Sequence, residues 1–147
     1  MVLGGKKRFD SVKNALEKIQ KNGFVAIHDG VRPLVNKKVI LDCFKLAKKH
    51  KTAVPVIPLE NSIRQKIKQG NKSVNRKEFL LVQTPQCFET KLIIRAYNQS
   101  YNDKFTDDAT VVEETGQSIY LINGNKENIK ITTPHDIKIA HSFLQKV

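Results

Sequence analysis

Apolar residues recur along the chain in two alternating periods, and that alternation sets the fold class. Val12, Ala15, Leu16 and Ile19 fall three and four apart, the spacing of one helix face, with Asp10 or Ser11 as the predicted cap. Residues 24–27 (FVAI) form a short, wholly apolar run after Gly23, the pattern of a strand buried on both faces of a parallel sheet. Asn36 then predicts the cap of a second helix whose inner face carries Val39, Ile40, Cys43, Phe44 and Ala47. Residues 52–58 (TAVPVIP) predict another strand, with two prolines weighing against a long central one. This strand–helix–strand rhythm predicts an α/β fold with right-handed crossovers.

Residues 60–75 interrupt the rhythm. They are polar, alternate weakly around Ile63, Ile67 and Val74, and carry Gly70-Asn71 as a turn signal, which predicts a protruding β-hairpin arm. A strand follows at 79–82, ending at Gln83-Thr84-Pro85-Gln86. Thr90 opens a predicted helix to about Tyr101, and Thr106 caps a short one through Glu114. Residues 118–122 and 128–132 predict strands. Thr133-Pro134 is a strong helix start, and the last helix turns Ile137, Ala140, Phe143 and Leu144 inward.

Composition narrows the function classes. The 147 residues, 39% hydrophobic and 27% charged, suit one ordinary domain with a sizeable core. No apolar run approaches the ~18 residues of a membrane span, and the first residues lack a signal peptide's apolar core. With two cysteines, Cys43 and Cys87, there is neither a disulfide framework nor a zinc site, so a cytoplasmic protein is expected. The net charge of +12 invites nucleic acid, yet 21 lysines against 5 arginines are spread along the chain without a tract, and aromatics for stacking bases are scarce. Small phosphorylated ligands or a solvated lysine surface account for the charge, and no nucleic-acid or membrane partner is expected.

The candidate chemistry clusters after the first strand, where ligands of open α/β sheets sit. In His28-Asp29-Gly30-Val31-Arg32-Pro33, Asp29 suits hydroxyl or divalent-cation binding, Arg32 offers a fork for phosphate, and Gly30 lets a ligand approach the backbone. The same Asp and Arg also suit a pair that staples a turn, with His28 a satisfied core residue. Gly4-Gly5, followed by Arg8 and Ser11 at a helix start, suits backbone contact with a base or phosphate, or an ordinary turn. Lys130 sits between Ile129 and Ile131, so its ammonium points away from them, to solvent or to a site needing positive charge. Thr106-Asp107-Asp108 reads as a helix cap with acids complementing the dipole, and Cys43 as core.

In order and spacing these segments resemble the 2-C-methyl-D-erythritol 4-phosphate cytidylyltransferase family of non-mevalonate isoprenoid biosynthesis. The matching stretches are Gly4-Gly5 with Arg8 and Asp10-Ser11-Val12, the 28–33 motif, residues 58–63, Val74-Asn75-Arg76, Gln83-Thr84-Pro85-Gln86 with Phe88, residues 106–110, and residues 128–132 with Pro134. The resemblance implies a Rossmann-like nucleotidyltransferase sheet that joins CTP to the sugar-alcohol phosphate, with Mg2+ as cofactor. It implies Arg76 and Lys130 as catalytic residues on the attacking phosphate. Asp29, Arg32, Ser62, Thr84 and Thr106 would bind substrate, Asp29 would also serve the metal, and Gly4, Gly5, Ser11 and Gly30 would lie around the nucleotide. The arm, near residues 60–76, would cross to the partner of a homodimer and bring Ser62 and Arg76 to the neighbour's site. Asn61-Ser62 stands where Asp-Thr is more usual in the family, which keeps a hydroxyl.

Family members begin with a strand and a Gly-rich loop that cradles the triphosphate, and Met1 falls after those elements. Residues 1–147 are therefore expected to be a partial cytidylyltransferase domain, inactive by itself. A ribitol-5-phosphate cytidylyltransferase and a catalytically inactive basic binding or assembly module are the alternative readings.

Overall fold

The computed structural model describes residues 1–145. Helix α1 (Arg8–Leu16) leads into strand β1 (Phe24–Ile27), helix α2 (Lys37–His50) and strand β2 (Thr52–Pro58). Strands β3 (Arg64–Lys66) and β4 (Asn71–Ser73) form the arm, and a 3-10 turn (Arg76–Glu78) returns the chain to β5 (Leu80–Val82) and β6 (Gln86–Glu89). Helices α3 (Thr90–Ala96) and α4 (Asp108–Glu113), strand β7 (Leu121–Asn123) and helix α5 (Pro134–Leu144) complete the described chain.

The main sheet is mixed. β6 lies between β1 and β2 and is antiparallel to both, so β1 and β2 run parallel without touching. β2 continues into an antiparallel pairing with β5, and β7 joins it in parallel on the other edge. The expected doubly buried parallel strand at 24–27 is thus a half-buried strand whose ladder, among the described residues, runs to β6 alone. The four-residue apolar run is common to both situations, and only the neighbours distinguish them.

β2 is the central strand despite its prolines. Its pairing with β6 ends at Ala53↔Cys87 and its pairing with β5 begins at Val56↔Val82. Pro55 falls in the gap between them, where no ladder donor is needed on that side, while its carbonyl accepts from the Gln83 N–H at 2.8 Å.

Side chains alternate across this sheet and build a core on each face. Val54, Val56 and Phe88 meet Phe9, Leu16, Ile93, Tyr97 and Val111 from α1, α3 and α4. Ala53 and Cys87 face Val39, Cys43 and Ala47 of α2, and these small residues let the helix sit close.

Several boundaries differ from expectation. α1 starts before Asp10 and Ser11, because Asp10 reaches back to accept from the Lys7 N–H at 3.1 Å. The chain turns so tightly there that a Cβ on Gly5 would lie 2.1 Å from the Asp10 Cβ. α3 ends at Ala96 rather than near Tyr101. α4 is capped by Asp107, whose carboxylate accepts from the Thr110 N–H at 2.9 Å, and not by Thr106. Residues 128–132 form no strand; the Asn128 N–H turns back to Asn125, and only the Ile131 N–H reaches across, to Val31. α2 is capped by Asn36 and α5 by Thr133 with Pro134 at its first turn, as expected. On α5, Ala140 is buried, whereas Ile137 and Leu144 are exposed, since no described element covers their stripe.

The arm is a β-hairpin with register Arg64↔Ser73, its tight turn closed by Ile67 N–H to Gly70 with Gly70 at φ +86°. All of β3 and β4 is exposed, and at its base Phe79, Leu80, Leu81 and Val82 are each 44–46% exposed.

Candidate functional site

The site forms where the loop after β1 meets the turn between β5 and β6 and the segment leading to α5. The Arg32 N–H closes a turn on the Asp29 carbonyl at 3.0 Å, which swings Asp29 and Arg32 to the same side. Three cations converge on the Asp29 carboxylate: Arg32 Nε at 3.2 Å, Arg8 Nε at 3.5 Å and Lys130 Nζ at 3.6 Å. Burial pushes the Asp29 pKa up, but the Arg32 hydrogen bond and the charges of Lys130 and Arg8 outweigh it and hold the group below its ordinary value. Asp29 is therefore ionised at neutral pH, and Lys130 is not a solvated residue standing alone.

Thr84 is tied into the same cluster. Its Oγ1 accepts from the Asp29 N–H at 3.0 Å and lies 2.9 Å from His28 Nδ1. His28 Nε2 sits 2.9 Å from the Arg32 carbonyl, which only accepts, so Nε2 carries a proton, and in the neutral ring Thr84 donates to Nδ1. His28 is exposed rather than a core residue, but both ring nitrogens are satisfied. A cavity of about 260 Å³ opens here, lined by Arg8, Asp29, Arg32, Gln83, Thr84, Gln86, Thr106, Asp107 and Lys130 among others. It adjoins a cleft of about 510 Å³ between α1 and β1 that Ser11, Gly30 and the apolar faces of both elements line. Ser11 Oγ also accepts from the Gly5 N–H at 2.9 Å, which holds Gly4-Gly5 against the start of α1.

The structure thus brings together Asp29, Arg32, Thr84, Thr106 and Lys130, with Gly30 and Ser11 on the adjoining wall. Ser62 and Arg76 stay on the exposed arm, where the Arg76 guanidinium donates to the Glu60 carbonyl, and neither lines this cavity within one chain. Sequence reasoning gave no role to Gln83 or Asn128 and read Asp108 only as a cap acid. Asp108 is fully buried under Arg8, with Tyr97 Oη donating to it at 2.5 Å. Among the described residues no three His, Cys, Asp or Glu side chains gather into a metal cage. Cys43 and Cys87 are buried and free, and the neighbouring Cys43 together with burial pushes the Cys87 thiol pKa up, away from thiolate chemistry.

The fold and site are those of a mixed α/β sheet whose strand ends gather cations, hydroxyls and the ionised Asp29, a chemistry that suits phosphate-bearing ligands. The IspD family model, 2-C-methyl-D-erythritol 4-phosphate cytidylyltransferase, matches residues 1–146, and the chain belongs to that family. A 2-C-methyl-D-erythritol 4-phosphate cytidylyltransferase of Phocaeicola vulgatus is 49% identical over 141 residues, covering 96% of this chain and 64% of the relative. One from Clostridioides difficile is 43% identical over 146 residues, 96% of this chain and 61% of its own length. The chain therefore spans just under two thirds of these relatives. The crystal structure of the Thermus thermophilus enzyme of that name superposes with a TM-score of 0.85 at 30% identity, covering 97% of this chain and 71% of that one. The 4-diphosphocytidyl-2C-methyl-D-erythritol synthase of Anaerococcus prevotii gives 0.87 at 27% identity, over 97% and 66%.

Proposed function

We propose that this chain supplies the substrate-binding part of an enzyme that transfers a cytidylyl group from CTP to 2-C-methyl-D-erythritol 4-phosphate, for non-mevalonate isoprenoid biosynthesis. The observation that carries the reading is the meeting of Arg32 and Lys130 at Asp29, on a cavity that also presents Thr84 and Thr106, in a member of this family. An oxygen of the sugar-alcohol phosphate attacks the α-phosphorus of CTP. The bond from that phosphorus to the bridging oxygen of the β-phosphate breaks, and its electron pair leaves with pyrophosphate. Two polyanions must meet, so fixed cations do most of the work by gathering and orienting them. Lys130 and Arg76 neutralise the attacking phosphate; Arg32, Asp29, Ser62, Thr84 and Thr106 hold the sugar-alcohol phosphate; Gly4, Gly5, Ser11 and Gly30 flank the cytidine.

Mg2+ belongs to this reading as a charge-neutralising Lewis acid on the phosphates. Asp29 would hold it only by giving up part of its contact with Arg32, Arg8 and Lys130, since Asp107 is likewise occupied, by Gln86 and the α4 cap, and phosphate oxygens and water would complete the shell. The arm is read as the contact of a homodimer: an isolated hairpin is marginal in water, and the exposed apolar run of β5 at its base needs cover. That pairing would carry Ser62 and Arg76 to the partner's cavity. A cytoplasmic setting belongs to the same reading; no helix among the described residues is long and apolar enough to cross a membrane.

The test is pyrophosphate release by this chain extended to the length of its relatives with the remaining residues of the Phocaeicola vulgatus protein, with CTP and Mg2+, on 2-C-methyl-D-erythritol 4-phosphate and on ribitol 5-phosphate in parallel. Turnover of the first substrate at least a hundredfold above the second is the expected result. Preference for ribitol 5-phosphate, or turnover of neither, overturns the reading.

A further inference from the structure

Four bonds at one buried residue tie the turn that carries Arg32 to the turn that carries Thr84. Asn128 is fully buried. Its Nδ2 donates to the Thr84 carbonyl at 2.8 Å and to Gln83 Oε1 at 3.4 Å. Its own carbonyl accepts from Arg32 Nη1 at 2.8 Å and from Gln83 Nε2 at 3.4 Å. Its Oδ1 has no partner, so the side chain is kept in place by what it donates and not by full satisfaction of both ends. Gln83 in turn is seated by Gly124, where a Cβ would come within 2.2 Å of its Oε1.

We propose that Asn128 is a positioning residue for the phosphate-binding cluster: it fixes the Thr84 backbone with its side chain and the Arg32 guanidinium with its carbonyl. The inference deepens the functional reading above and rests on it for the meaning of the cluster. The consequence runs outward through bonds Asn128 does not itself make. Thr84 held by its carbonyl presents Oγ1 to the Asp29 N–H and to His28 Nδ1. His28 Nε2 then donates to the carbonyl of Arg32, which closes the ring of contacts. Lys130, two residues along the chain from Asn128, reaches Asp29 from the same support. Replacing the side chain with one of equal size that cannot donate strands the Thr84 carbonyl and loosens this ring, while removing the unpartnered Oδ1 as well.

The test compares the full chain with its Asn128→Leu variant by amide hydrogen exchange, and by titration with 2-C-methyl-D-erythritol 4-phosphate followed by NMR. The proposal expects the Asp29 and Arg32 amides to exchange at least tenfold faster in the variant while the core amides of Val54 and Cys87 keep their protection. It also expects binding of the sugar-alcohol phosphate to weaken at least tenfold. Unchanged exchange at Asp29 overturns the proposal. Selective loosening at Asp29 with no binding by the parent chain supports the positioning role and counts against the functional reading. Should the variant not fold, the parent decides: a scalar coupling across the bond from Asn128 Nδ2 to the Thr84 carbonyl is required, and its absence overturns the proposal.

Discussion

Arg8 and Asp108, a hundred residues apart, meet through two parallel hydrogen bonds of 2.8 and 2.7 Å. The carboxylate is wholly buried and the guanidinium is partly open to the cleft. The bond to Asp108, against the cost of burial, raises the Arg8 pKa above its already high ordinary value. Tyr97, its hydroxyl bound to the same carboxylate, is pushed up by burial and by that negative charge. The pair fastens the start of α1 to the start of α4 and leaves only the Arg8 Nε to face Asp29.

Arg8→Met strands the buried Asp108 carboxylate with Tyr97 alone. Breaking a buried pair from one side typically costs about 3–5 kcal/mol, and the partial solvation of Arg8 puts this one near about 3 kcal/mol. Urea unfolding of the full chain measures it. A loss below about 0.5 kcal/mol would mean the pair is no more than a surface contact.

Lys130→Met removes one of the cations gathered at Asp29. With Lys130 half exposed, the charge-assisted contact is worth about 1.4 kcal/mol, so affinity for 2-C-methyl-D-erythritol 4-phosphate falls about tenfold. Lys48→Met, on the outer face of α2, leaves it unchanged. Calorimetric titration of both variants checks this, and equal affinities would return Lys130 to the solvated surface.

Asp136 caps the start of α5 from inside its first turn, accepting from the backbone and hydroxyl groups of Thr132 and Thr133. These bonds lower its pKa from an ordinary 3.8 to about 2. A lowered folded-state pKa contributes stability that is complete above the unfolded value and lost as pH falls through the folded one. The α5 N-terminus should therefore hold at pH 5 and fray between about pH 4 and pH 2. Carboxyl NMR of Asp136 together with the Thr132 and Thr133 amide shifts reads it, and a midpoint near 4 would remove the cap.

Leu81→Glu places a charge in the exposed apolar run below the arm. If that run is the contact between two copies, self-association should weaken at least tenfold, about 1.4 kcal/mol, while the monomer's melting temperature is kept. Sedimentation over a range of protein concentrations measures both species. Identical behaviour of parent and variant would move the contact elsewhere.

The local rules were legible in the sequence wherever one segment suffices to state them. Asn36 and Thr133-Pro134 cap their helices, Gly70 closes the arm's turn, and the order of motifs carries the family, because each depends on neighbours in the chain. The pairing of strands was not legible. Strand β6, to which the sequence reading assigns no element, lies between β1 and β2, and four residues of Gln-Cys-Phe-Glu carry too short a period to announce it. Pro55 argued against a central strand because no local pattern reveals that β2 changes partners at that residue. Lys130 could be placed off its apolar neighbours but not toward Asp29, and Asp108 could be read as a cap acid but not as the partner of Arg8. Periodicity and capping belong to bonds within a few residues, which the sequence determines. The cluster at Asp29 and the roles of Asn128 and Asp108 belong mostly to contacts between segments distant in the chain, such as Arg32 with Asn128 and Arg8 with Asp108, and only the packing of the sheet and its helices decides which side chains those contacts join.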